Sequence, residues 1–212
     1  SRPLTRVGPG GTNIGEERLA NSVNYESPNM GGLTFTLNYG LENSTTTASQ
    51  LNAVAFGVQY NAGPLFVGLA TKTVDTTATT DLSIMRLSAS YTMGDIKIAG
   101  MYQKDDVTTT TDRTVMGIGA SMKVGSGTVK AQYYQADDVA ANDGADLMAI
   151  GYDHSLSKTT TVYVTYATVS NGTAGAYSLI GAGHANPTEV GYAATTAGND
   201  PTGFSLGMKM AF

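Results

Sequence analysis

Basic side chains recur on one side of an alternating pattern, which is the main chemical signal of this sequence. Arg86, for example, stands between Met85 and Leu87. Seven of the twelve Lys and Arg residues oppose apolar rows in this way: Arg18, Lys72, Arg86, Lys97, Lys123, Lys130 and Lys209, with Asp153 as the acidic exception. A surface lined by one sign of charge concentrates solutes of the opposite sign. Solvation alone would also place charges on a watery face, so selectivity and solubility both remain as interpretations.

Other chemistry finds less support in the residues. His154 falls in a turn and His184 in a loop, and neither has the spacing from Asp or Glu that is typical of a catalytic triad. Acidic pairs such as Asp105-Asp106 and Asp137-Asp138 could take up Ca²⁺ weakly, but such runs are more often simply solvated. We therefore expect no enzymatic activity, no metal and no cofactor.

The elements that would position the basic row are β-strands. The closing stretch carries an unbroken period-2 apolar row of Phe204, Leu206, Met208, Met210 and Phe212. Such alternation predicts a strand with one face in an apolar medium. Ten earlier stretches show the same alternation, and the pattern therefore predicts eleven strands. Residues 1–17, with two Pro and a Gly-Pro-Gly-Gly run, read as a loop, and residues 18–212 as part of one domain.

An apolar row of this kind fits either the core of a soluble sandwich or the lipid face of a transmembrane barrel. Three features favour the barrel. The connections alternate between short and long, the strands run about 9–11 residues, and Tyr closes most apolar rows, as in an interfacial aromatic girdle. These tyrosines are Tyr25, Tyr39, Tyr60, Tyr91, Tyr102, Tyr133, Tyr152 and Tyr166. In a soluble sandwich the same tyrosines would reflect only high strand propensity.

Composition agrees with a protein whose surface is partly not in water. Only 14% of the 212 residues are charged, well below the roughly 25% of an ordinary soluble domain. The net charge of −5 argues against a nucleic-acid partner, and the absence of Cys excludes disulfides and Cys-based metal sites. No apolar run is long enough for a membrane helix.

Two motifs resemble those of a known family, the trimeric general porins of Gram-negative bacteria, in particular the β-proteobacterial type. Residues 18–28 followed by Gly31-Gly32 are similar to the family's "R-x-x-N-S-V-x-Y-x-S-P…G-G" strand and turn, and residues 153–163 resemble its "D-Y-S-L-S-K-R-T-x-L-Y" turn. Residues 203–212 resemble its closing strand. Thr159, Met210 and Ala211 depart from the family pattern without interrupting the apolar row.

The resemblance implies an all-β fold, a transmembrane antiparallel barrel of sixteen strands, of which eleven are visible here as the C-terminal two-thirds. It also implies a homotrimer in the bacterial outer membrane, contact with lipid and lipopolysaccharide, and recognition of the closing row by the barrel-assembly machinery. The expected function is passive diffusion of small hydrophilic solutes and ions, and a basic lumen would give such a channel a preference for anions. The alternative is a structural or adhesive barrel with a closed lumen, although Gly, Ala and Ser at inward positions favour an open one.

Overall fold

The structure is a computed structural model that describes residues 21–40, 53–77, 80–107, 112–179 and 196–211. These residues form eleven strands of one antiparallel sheet, in which each strand pairs with its neighbours in the chain. The strands are β1 (Ser22–Glu26), β2 (Leu33–Gly40), β3 (Ala53–Ala62), β4 (Leu65–Thr77), β5 (Thr80–Met93), β6 (Ile96–Val107), β7 (Arg113–Val124), β8 (Gly127–Ala136), β9 (Ala145–Ser155), β10 (Thr160–Asn171) and β11 (Thr202–Met210). The predicted all-β fold and its eleven strands are confirmed.

Tight turns explain why consecutive strands pair. The β3–β4, β5–β6 and β7–β8 connections begin with Gly63, Gly94 and Gly125, whose φ angles are 55°, 57° and 59°. A positive φ at the first central residue of a two-residue hairpin turn favours glycine. We call this edge of the sheet the turn end. The opposite edge, with the β6–β7, β8–β9 and β10–β11 connections, is the loop end.

The register gives the sheet two chemically distinct faces. Phe35, Val58, Leu69, Leu87, Tyr102 and Met116 lie directly opposite one another across β2 to β7 and form one apolar row. Leu87 is 45% exposed and Met116 is 46% exposed, so this face presents large apolar side chains outward. We call it the apolar face. The face that carries Arg86 on the intervening positions is the polar face.

The closing strand follows the predicted pattern. Phe204 lies opposite Tyr166, and Leu206 lies opposite Val164, which places the terminal row on the apolar face. Phe204, Leu206, Met208 and Met210 are all more than half exposed. Phe212 and residues 1–20 lie outside the described residues. Within the described chain, no helix is long and apolar enough to cross a membrane.

Several strands extend further than the sequence predicts. β6 continues to Val107, so that Asp105 and Asp106 belong to a strand rather than to a solvated loop. β4 and β5 are separated by residues 78–79 alone, and the expected strict alternation of short and long connections is therefore wrong at this point. In both places polar residues continue the backbone ladder, whose hydrogen bonds do not depend on apolar side chains.

The principal buried cluster lies on the polar face near the loop end. It contains Val115, Ala136, Ala145, Leu147, Ala149, Val169 and Tyr177. The first six belong to β7 through β10, and we call them the apolar patch. Tyr177 comes from residues 172–179, the stretch after β10, which we call the lining segment.

Candidate functional site

The register brings most of the predicted basic row onto the polar face. Arg86 lies opposite Ala70 and Gln103, and Lys97 lies opposite Thr92 and Ser121. The same alternation places Lys72, Lys123, Lys130, Asp153 and Lys209 on this face. Arg18 lies outside the described residues. The sheet therefore gathers side chains from seven strands, β4 through β9 and β11, onto one surface.

At the loop end, charged and polar side chains form a chain of contacts that leads from the half-buried Arg86 to a buried ion pair. Arg86 donates from Nε to Gln103 Oε1 at 2.8 Å, and Gln103 Nε2 donates to Asp105 Oδ1 at 2.7 Å. Arg113 donates two hydrogen bonds to Asp105 Oδ2, from Nη2 at 2.5 Å and from Nε at 3.0 Å. Asp105 is 2% exposed and Arg113 is 3% exposed. A buried pair of this kind needs such saturated hydrogen bonding to offset the cost of desolvation.

At the turn end, the charges are instead open to solvent. Lys130 Nζ lies 2.5 Å from Asp153 Oδ2, with the Lys130 side chain half exposed. Lys209 Nζ lies 5.3 Å from the centre of the Tyr163 ring. Exposed pairs contribute little to stability. Within the described part of the chain, Lys97 and Lys123 form no ion pair.

Between these two zones the polar face carries small side chains. A hollow of about 490 Å³ is bounded by Arg86, Lys97 and Lys130, and its wall includes Ser88, Ser90, Ala99, Gly119, Ser121 and Gln132. We call it the basic hollow. The Tyr134 ring lies against Gly117, where any Cβ atom would clash with it. The absence of a side chain at Gly117 therefore leaves space for the aromatic ring on the polar face.

The lining segment covers the apolar patch. Tyr177 is fully buried, and Arg113 Nη1 donates to its hydroxyl oxygen at 3.2 Å. Asn171 holds the Tyr177 backbone on both sides, accepting from its N–H and donating to its carbonyl, each at 2.9 Å. Burial raises the pKa of the Tyr177 hydroxyl, which therefore remains neutral at physiological pH.

Arg113, Asp105 and Tyr177 are the polar-face residues that the sequence pattern missed. Asp105 belongs to an acidic pair that the sequence analysis interprets as solvated, and Arg113 lies just before the apolar row that begins at Met116, so the alternation predicts a role for neither residue. One sequence signal could have indicated a covering segment. Val115, Leu147 and Val169 are apolar residues at polar-face positions, where they would otherwise be exposed to water.

The other candidate chemistries gain no geometric support. The prediction that His154 lies in a turn is wrong, because the ladder between β9 and β10 continues past it to Ser155. His154 lies on the apolar face, and its Nδ1 is 3.2 Å from the Tyr152 hydroxyl oxygen. His184 lies outside the described residues. In the β8–β9 loop, Asp143 Oδ1 accepts from the backbone N–H of Val139 and of Ala140. This acidic loop thus uses its carboxylate to stabilise its own turn. No group of three potential metal ligands occurs among the described residues.

Comparison with known proteins relates this sheet to outer-membrane channels. A model of the Gram-negative porin family matches residues 4–174. The fold is similar to an anion-selective porin from Comamonas acidovorans, with 30% identity, a TM-score of 0.78, and coverage of 99% of this chain and 64% of that one. Comparison with curated protein sequences gave no match.

More distant structures share the fold alone. The trimer form of OmpT from Vibrio cholerae has 18% identity and a TM-score of 0.64, with 89% of this chain and 64% of that chain covered. Salmonella typhi OmpF, in complex with daunomycin, has 14% identity and a TM-score of 0.65, with 89% and 61% covered. The chain thus spans somewhat under two thirds of the length of these relatives. The match of the family model over most of the sequence shows that the chain belongs to the Gram-negative porin family.

Proposed function

We propose that this chain supplies part of the wall of a channel through which small hydrophilic solutes and ions diffuse passively, with a preference for anions. Membership of the porin family places the chain in the bacterial outer membrane. The observation that carries the anion preference is the shared placement of Lys72, Arg86, Lys97, Lys123, Lys130 and Lys209 on the polar face. The Comamonas porin, described as anion-selective, supports the same direction.

The two faces of the sheet would contact different surroundings in such a channel. Lipid would contact the apolar face, where side chains such as Leu87 and Ile118 are exposed. Water and solutes would contact the polar face, where the basic hollow is lined by hydroxyl groups and small side chains. Transmembrane barrels alternate apolar-out and polar-in along every strand in this way. Such a channel needs neither catalytic turnover nor a cofactor.

The complete assembly would be larger than the sheet described here. As the family resemblance implies, residues 18–212 would belong to one sixteen-stranded barrel, whose closed wall would leave no unpaired strand edge in lipid. The barrel would form a homotrimer, a state that the Vibrio cholerae relative adopts. Lipid and lipopolysaccharide would surround it, and the barrel-assembly machinery would recognise the row from Phe204 to Phe212.

Recordings from planar bilayers test this proposal. The purified outer-membrane protein should insert as a trimer and conduct in groups of three equal steps. In a salt gradient, the reversal potential should indicate a preference for chloride over potassium, and the preference should weaken at high ionic strength as the lumenal charges are screened. The absence of any conductance would instead support the closed-lumen alternative. Conductance with a clear cation preference would contradict the role assigned to the basic row.

A further inference from the structure

We infer that the lining segment is a fixed inner layer of the channel, held by Arg113 and Asp105 through Tyr177, which limits the size of the solutes that pass without setting their charge. This inference rests on the proposed channel function, since it assigns the polar face to the lumen. It identifies Tyr177 as a positioning residue for solute selection.

The first support is the apolar patch itself. In a water-filled lumen, inward positions are usually polar or small. Here Val115 and Val169 are completely buried on the polar face, and Leu147 is 2% exposed. The Tyr177 ring and the partly buried Leu179 pack against this patch. Removing the segment would expose this apolar surface to water, so the covered state is favoured by burial of apolar area.

The second support is the network of polar contacts that fixes the segment. Besides Arg113 and Asn171, backbone bonds join it to the β8–β9 loop, where Gly172 N donates to Gly144 O at 2.9 Å and Ala174 N donates to Asn142 O at 2.8 Å. The Asp105 carboxylate belongs to the same network, because it accepts hydrogen bonds from Gln103 and Arg113. The segment is thus fixed by Arg113 of β7 and Asn171 of β10, while Asp105 of β6 holds Arg113 in place, so the segment has one defined position on the wall.

The third support is the chemistry that the segment presents. Residues 172–179 contain no charged side chain, and the exposed residues Thr173 and Ala174 are small. The nearest ion pair, Arg113 with Asp105, is neutral as a pair and buried. The segment therefore occupies space on the polar face without adding a net charge to the electrostatic field there. Passage of bulky uncharged hydrophilic solutes should depend on it, whereas the choice between anions and cations should depend on the exposed lysines.

A cysteine-labelling experiment tests the position of the segment, because the sequence contains no Cys. Ala174→Cys places a thiol on the exposed surface of the segment, where a substitution should not disturb folding. Ser126→Cys in the β7–β8 turn, also exposed, is the matched control. Attachment of a bulky maleimide at position 174 should reduce single-channel conductance by about half or more, whereas labelling at position 126 should leave conductance unchanged. Labelling at 174 without any change in conductance would overturn the inference.

A second pair of variants tests the role of Tyr177. In liposomes, Tyr177→Ala should speed the entry of uncharged sugars and polymers near the size limit several-fold, with little change in reversal potential. Tyr177→Phe keeps the ring over the patch and should leave the size limit nearly unchanged.

The covered state can also be measured without conduction. Val169→Cys should react slowly with a soluble thiol reagent, and at least tenfold faster once Tyr177→Ala is added. Ala99→Cys, in the basic hollow, should react quickly in both backgrounds. If Val169→Cys reacts as fast as Ala99→Cys in the otherwise unaltered protein, the segment does not cover the patch and the inference is wrong. A protein that shows this protection but never conducts would refute the channel proposal alone.

Discussion

The apolar patch and the basic hollow lie on the same face of one sheet, yet they are built in opposite ways. In the patch, aliphatic side chains lie beneath the lining segment, and the buried Arg113–Asp105 pair lies next to them, with Arg113 in contact with Tyr177. In the hollow, small hydroxyl-bearing side chains lie between exposed lysines and remain open. The same alternation along the strands produces both regions. The side-chain type at polar-face positions thus indicates whether that part of the wall is covered or left to water.

The largest difference between the two regions should appear when a charge is removed. Arg113→Ala leaves the Asp105 carboxylate buried without its partner, and we expect a loss of roughly 3–5 kcal/mol in the free energy of unfolding. Lys97→Ala, the control in the basic hollow, removes an exposed charge and should change the free energy of unfolding by less than about 0.5 kcal/mol. Urea titration of each variant in lipid vesicles, followed by far-UV circular dichroism, measures both changes in the free energy of unfolding.

A double variant separates the cost of an unpaired charge from the value of the pair. Arg113→Met combined with Asp105→Leu removes both charges and should recover most of the stability lost in Arg113→Ala, because a buried pair is often replaceable by apolar residues. Equal stability of Arg113→Ala and Lys97→Ala would show that the patch is as open as the hollow.

The next effect tests whether both regions share a face at all. Leu87→Arg places a cation on the apolar face, at a cost of about 2–4 kcal/mol if the position lies at the bilayer midplane. Ser88→Arg, one residue further, points into the basic hollow and should be tolerated. The yield of folded protein in the outer membrane reports both variants. Normal yield for Leu87→Arg together with loss of Ser88→Arg would mean that the assignment of the faces is inverted.

A smaller effect should follow from trimming the patch. Val169→Ala removes the equivalent of two buried methylene groups, or roughly 1.6 kcal/mol at about 0.8 kcal/mol each, with a further cost if a cavity remains. Ser90→Ala in the hollow is the matched change and should be close to neutral. The urea midpoint of each variant gives the difference, and equal midpoints would argue against a packed patch.

Much of this architecture was accessible from the sequence, because period-2 alternation fixes which side chains share a face. The row from Phe204 to Met210 and the placement of Arg86 opposite the apolar row both follow from it. The loop end was not accessible in the same way. There, Asp105 and Arg113 replace apolar residues with a buried ion pair, so that the hydrophobic signal ends while the backbone ladder continues.

Tyr177 was harder still to foresee. Its partners Arg113 and Val115 lie more than sixty residues earlier in the chain, and nothing in the local sequence around residues 172–179 specifies that contact. The available signal was the presence of the apolar side chains of Leu147 and Val169 on a face that is otherwise exposed to water. Such side chains indicate that another segment of the chain covers them. A covered region of a barrel wall can therefore be recognised from large apolar residues at strand positions whose side chains point to the polar face.

The smallest expected change concerns charge alone, and it divides the two regions most cleanly. Lys97→Glu reverses an exposed charge that has no ion-pair partner among the described residues. Because exposed charges act through a screened field, the variant should keep its stability while its reversal potential moves toward cations, by a larger amount at 0.01 M salt, where the Debye length is about 30 Å, than at 1 M, where it is about 3 Å. The Arg113→Met and Asp105→Leu double variant, which removes a neutral buried pair, should leave the reversal potential where it was. If the double variant instead shifts ion preference as much as Lys97→Glu does, the covered region contributes to the field in the channel, and the separation of size selection from charge selection fails.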